Sequence, residues 1–95
     1  MLTPIHPGEV LLEDFLKPLN LTAYAAAKAM CVPRTRIERL VRGETAVTPE
    51  TALRLERAFG SSARFWMNLQ TRYDLEIATD AAPADLEAIP RLAAG

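Results

Sequence analysis

The chemistry most visible in this sequence is cationic. Residues 28–42 hold Lys28, Arg34, Arg36, Arg39 and Arg42 against Glu38, a local charge of +4 in a chain whose net charge is −1. The flanks are acidic: residues 1–27 carry −2 and residues 73–95 carry −4, with +1 over residues 43–72. Net charge alone argues against a polyanionic partner. Charge gathered on one element matters more to such a partner than the total does. The same run also reads as a solvated helix face.

Other chemistry is sparse. His6 is the only histidine and Cys31 the only cysteine, too few for a metal cage or an internal disulfide. No nucleophile–base set and no glycine-rich phosphate loop accompany them, so neither an enzymatic role nor a cofactor is expected. His6 precedes a helix start and reads as a cap or turn residue. Cys31 reads as a small turn hydrophobe; the sharper reading is a thiolate favoured by nearby arginines.

The elements that must position these cations are short helices. Ninety-five residues make one small domain, and 49% hydrophobic with 24% charged residues is ordinary for a globular chain. No apolar run approaches the roughly 18 residues of a membrane span, and no secretory leader pattern opens the chain, so a cytoplasmic setting is expected. No segment alternates as a strand does. A first helix starts at Pro7, with Leu12, Phe15, Leu16 and Leu19 on its apolar side, and ends by Pro18. A second opens at the N-cap Thr22, runs through an alanine-rich stretch, and breaks at Cys31-Val32-Pro33. A third spans about Arg34 to Arg42 and stops at Gly43. A fourth follows Thr48-Pro49, carries Ala52, Leu53, Leu55 and Phe59, and ends at Gly60. A fifth starts after Ser61-Ser62 with Phe65, Trp66, Leu69, Tyr73 and Ile77 at helical spacing. The Ala- and Pro-rich acidic tail from Ala81 holds at most one short helix.

Helices two and three form a helix-turn-helix pattern over about residues 22–42. Ala27, Cys31, Ile37 and Leu40 are the expected packing residues of that motif. The third helix then presents Thr35, Arg39 and Arg42 on the opposite face, with Arg34 and Arg36 alongside. Arg34 and Thr35, at its start, are nearest to base edges in a major groove. Arg36, Arg39 and Arg42 suit phosphates, as does the Thr22 hydroxyl at the start of the second helix.

Wider stretches of the chain carry a family resemblance: His6-Pro7-Gly8-Glu9-Val10-Leu11, Leu19-Asn20-Leu21-Thr22-Ala23-Tyr24, Val32-Pro33-Arg34, Arg36-Ile37, Thr48-Pro49-Glu50-Thr51-Ala52-Leu53-Arg54-Leu55, Phe59-Gly60, Phe65-Trp66-Met67-Asn68-Leu69-Gln70 and Tyr73-Asp74-Leu75. In this order and spacing they resemble the HigA-type, VapI-like antitoxins, a branch of the XRE or lambda-repressor-like helix-turn-helix proteins. The resemblance implies an all-α, compact five-helix bundle that homodimerises. It implies binding to a palindromic operator in its own promoter. It also implies neutralisation of a HigB-like toxin, an mRNA-cleaving ribonuclease of the RelE-like type. Three positions depart from the pattern. Ala23 stands where the wider family usually has Gln, Cys31 where a turn glycine is frequent, and Glu44-Thr45 where a basic pair is common.

Residues 1–80 are thus expected to form the DNA-binding domain and 81–95 a tail. A chain this small has a thin stability margin. Dimerisation through the fifth helix, with Trp66, Tyr73 and Ile77 as the candidate face, would add apolar burial and set two recognition helices about 34 Å apart. Two alternatives share the motif: a solitary transcription regulator without a toxin, and a protein-interaction module that has lost DNA binding.

Overall fold

Pro7 starts the first helix where its missing N–H is not needed, and the His6 ring completes the start: its Nδ1 accepts the Gly8 N–H at 2.9 Å. The computed structural model describes residues 3–93. Residues 1, 2, 94 and 95, the outer ends of the expected domain and tail, lie outside the described residues. Helix α1 comprises an ordinary turn, Pro7–Val10, and a wider-wound stretch, Leu11–Leu16, closed by bonds such as Lys17 N–H to the Leu12 carbonyl at 3.0 Å. Residues five apart lie about 140° apart on an ordinary α-helix. The wider ring brings Leu11 and Leu16 into the core together, both fully buried. Leu12 and Phe15 pack at the edge of that core. Leu19, expected with them, is exposed because it lies past Pro18 in the turn.

The remaining helices are α2 (Ala23–Ala29), α3 (Arg34–Val41), α4 (Pro49–Phe59) and α5 (Ala63–Asp80), followed by the short turn of helix Ala84–Ala88. No strand occurs among the described residues. Hydroxyl caps start three of them: Thr22 accepts the Ala25 N–H, Thr48 the Thr51 N–H and Ser62 the Phe65 N–H, at 3.0, 3.3 and 3.0 Å. The ends share a device as well. Asn20, Cys31 and Gly43 are left-handed, at φ 55°, 58° and 75°. Around each, two crossed backbone bonds close the preceding turn: for Cys31, its own N–H reaches the Lys28 carbonyl at 3.2 Å and Val32 N–H reaches the Ala27 carbonyl at 3.0 Å. Gly60, at φ 86°, ends α4 with a single bond to the Glu56 carbonyl.

This closure corrects one expected packing residue. A left-handed residue at a helix end turns its side chain away from the helix it terminates, and Cys31 is exposed. Met30 and Val32 on either side of it face the core instead. A second correction concerns Trp66, expected on a dimer face. It is 0% exposed, wedged against Phe15 and Phe65 with both ring centroids 5.1 Å away. It is the largest fully buried side chain of the core. Leu53 also departs from expectation: it is 56% exposed, and Thr51 takes the buried place beside Ala52 and Leu55.

The core lies between α1, the α2–α3 pair and the α4–α5 pair. Gln70 ties the loop after α3 to α5, accepting the Val47 N–H at 2.7 Å and donating to Asp74 at 2.9 Å. The far end of α5 and the tail extend from this body, giving extents of 50 × 26 × 22 Å. Leu75, Ile77, Leu86, Ile89 and Leu92 are exposed there.

Gly8 sets how α1 rests on α3. A Cβ at this position would overlap the Leu40 carbonyl, so only hydrogen fits. Gly8→Ala is expected to lower the unfolding free energy by about 1–3 kcal/mol through overpacking, read by denaturant unfolding. His6 sits beside it, its ring edge-on to Tyr73 at 4.8 Å. Burial lowers the His6 pKa below its ordinary 6.5, against the opposing pull of a hydrogen bond to the Thr45 backbone and the Asp74 carboxylate. The unfolded chain therefore binds this proton more readily than the fold does, so stability is present above pH 6.5 and declines as pH falls through that value. His6→Asn keeps a capping acceptor and is expected to flatten the difference in unfolding midpoint between about pH 7.5 and 5.5.

Candidate nucleic-acid interface

α2 and α3 cross at small and apolar residues. Ala27, Ile37 and Leu40 are buried between them, so α3 is held by one stripe and free on the other. The turn at residues 30–33 delivers Pro33 to the start of α3, and no side chain caps the first N–H groups there. Arg34, Thr35, Arg36, Arg39 and Arg42 are all exposed, as is Thr22 at the start of α2. Thr35, Arg36 and Arg39 border a surface groove of about 420 Å³ shared with Thr45, Thr48 and Glu50. Of the expected residues, Thr35, Arg36 and Arg39 thus meet at one groove, and Arg42 lies beside Arg39 at Glu44. Tyr73 and Ile77 are placed elsewhere, on α5. Tyr73 is half-buried against His6, and Ile77 is 44% exposed.

Every arginine of this surface faces a carboxylate. Arg34 pairs with Glu38 at 3.5 Å and lies over the Tyr24 ring at 5.9 Å from its centre. Arg36 reaches Glu50 at 3.0 Å, while Arg39 and Arg42 both approach Glu44, at 3.7 and 3.5 Å. The four arginine side chains are 43–60% exposed. Exposed pairs of this kind contribute about 0–1 kcal/mol, so each guanidinium is free to exchange its partner.

Several positioning residues escape sequence reasoning. Arg54 on α4 donates from Nη1 to the Met30 carbonyl at 2.9 Å, placing a cation on the C-cap carbonyl just past α2. Its partner is 24 residues away, with no local signal to pair them. Glu50 reaches back to both Arg36 and Arg54. Gln70 is buried although polar, which only its placement opposite the Val47 amide explains. Tyr24 carried one available signal, an aromatic two residues after the N-cap Thr22.

The described residues contain no group of His, Cys, Asp and Glu that could hold a metal ion, and no helix among them is long and apolar enough to cross a membrane.

Comparison with known proteins agrees with the helix-turn-helix fold. The helix-turn-helix family model matches residues 12–66, more than half of the chain. Virulence-associated protein I of Dichelobacter nodosus is 53% identical over 74 residues, 78% of this chain and 68% of that protein. Antitoxin HigA-1 of Vibrio cholerae is 38% identical over 72 residues, 76% of this chain and 68% of that protein. The Pseudomonas aeruginosa antitoxin HigA, solved with the higBA promoter, superposes with a TM-score of 0.89 at 38% identity, covering 95% of this chain and 99% of that one. Two of these three relatives are antitoxins by name. The chain belongs to the XRE-type helix-turn-helix family, in its HigA-type, VapI-like antitoxin branch.

Proposed function

We propose that this chain is the antitoxin of a toxin–antitoxin module. It binds a HigB-like, RelE-like mRNA-cleaving toxin, and as a homodimer it binds a palindromic operator of its own operon in the cytoplasm. The observation that carries the DNA half is the geometry of α3. Its apolar stripe is spent on α2, and its arginine row faces outward from a helix start with uncapped N–H groups. A relative of the same fold is solved with promoter DNA.

In this reading residues 1–80 are the DNA-binding unit and 81–95 a tail. Arg34 and Thr35 enter the major groove, where a bidentate Arg–guanine contact discriminates by about 1–3 kcal/mol. Arg36, Arg39, Arg42 and Thr22 hold phosphates. A two-fold dimer that joins the projecting end of α5, through Ile77 and its exposed neighbour Leu75, would present two α3 helices about 34 Å apart. Doubling the phosphate contacts compensates for a chain whose total charge is near neutral.

Arg34→Ala is expected to relax base preference in a competition binding assay, with a smaller effect on random sequence. Arg39→Ala should weaken all sequences about equally and flatten the salt slope by about one per protomer. Unchanged affinity in both variants would favour the interaction module. For the toxin half, deleting the chain should be lethal only while a neighbouring toxin-like reading frame is intact, and the two products should co-purify. Survival with that frame active leaves a solitary regulator.

A further inference from the structure

The end of α3 carries a charge that the helix itself disfavours. Gly43 folds the chain back, and the Glu44 N–H donates to the Arg39 carbonyl at 2.9 Å. This fixes Glu44 over the last turn of α3, at the negative end of the helix dipole. Two guanidiniums flank the carboxylate there: Oε1 lies 3.7 Å from Arg39 Nε and Oε2 lies 3.5 Å from Arg42 Nε, whose N–H also donates to the Glu38 carbonyl at 3.2 Å. One oxygen on each of two neighbouring arginines is what a backbone phosphate would offer the same pair. Glu38 and Glu50 differ, each reaching a single α3 arginine, Arg34 and Arg36 respectively.

The geometry points to Glu44 as an internal competitor for duplex DNA: its carboxylate takes the place of a phosphate on Arg39 and Arg42 until a duplex displaces it. This rests on the DNA reading above. Random sequence is held by charge alone, and each phosphate must displace Glu44 to reach the pair. Where Arg34 and Thr35 engage base edges, the duplex is fixed against α3, and both guanidiniums turn from Glu44 to the backbone. The displacement is a cost in either mode, so Glu44 lowers the affinity of the pair for any duplex.

Glu44→Gln keeps the shape and removes the charge. The full chain and this variant are titrated, over a salt series, with a labelled random-sequence duplex and with an equally long duplex from directly upstream of its gene. In the variant, random-duplex binding should tighten about three- to tenfold at low salt, with a salt slope steeper by about one per protomer. The upstream duplex should tighten as well, and both gains should vanish when Arg39→Ala and Arg42→Ala are added. Glu13→Gln removes a carboxylate paired with Lys17 on α1 and should change neither duplex by more than about twofold. Wild-type binding with no change in E44Q overturns the role of Glu44 alone. So does a gain that survives loss of both arginines. A wild-type chain that binds neither duplex overturns the DNA reading and this assignment with it.

Discussion

The orientation of α3 depends on how its two flanking turns are closed. At each end the chain passes through a left-handed residue, Cys31 before it and Gly43 after it, with crossed bonds to the last carbonyls of α2 and of α3 itself. The first closure sets the angle at which α3 leaves α2. The second folds the following loop back along α3, so that Glu44 lies over its last turn. With both ends fixed, the stripe of Ile37 and Leu40 has one way to pack, and the arginine row has one way to face. Gly43 adopts its conformation without steric cost. Cys31 does so as an L-residue with a Cβ, a conformation that costs about 1–2 kcal/mol and that the surrounding contacts must offset. Arg54, bonded to the Met30 carbonyl beside it, is one such contact.

A second layer of support comes from outside the motif. α1 lies against the backbone of α3 at Gly8, and His6 joins the chain start, the loop after α3 and α5 through Gly8, Thr45 and Tyr73. Gln70 bonds the same loop to α5 at Val47. The loop that carries Glu44 is therefore held from two sides, which keeps the acidic side chain beside Arg39 and Arg42. Near-neutral net charge then has a structural meaning. Carboxylates are distributed onto the arginines of the exposed helix face, and a polyanion must compete with them.

Much of this was legible in the sequence because local signals were strong. Thr22, Thr48 and Ser62 stand at helix starts, Pro7 and Pro49 at first positions, and Gly43 and Gly60 at ends. Ala27, Ile37 and Leu40 have the spacing of two crossing helices. The misreadings have distinct physical causes. Leu11 joins the core because α1 is wound wider than 3.6 residues per turn, which shifts the apolar face away from the one an ideal wheel gives. Cys31 is apolar enough to look like packing, yet its left-handed backbone turns it outward. Trp66 lies on the same helix as the exposed Leu75 and Ile77, but it falls where α1 and α5 meet, and its bulk fills that space. The long-range partners of Arg54, Glu50 and Gln70 had no sequence signature, because each pairs residues brought together only by the tertiary fold.

The central claim is that the outward face of α3 is the surface that meets duplex DNA. The most direct measurement is the backbone amide spectrum of the full chain, titrated with a duplex from immediately upstream of its gene. The account predicts that the shifts concentrate at Thr22, at residues 34–45 and at the start of α4, with the buried positions of α5 little changed. Shifts confined to α5 and the tail, or none at saturating duplex, would contradict it.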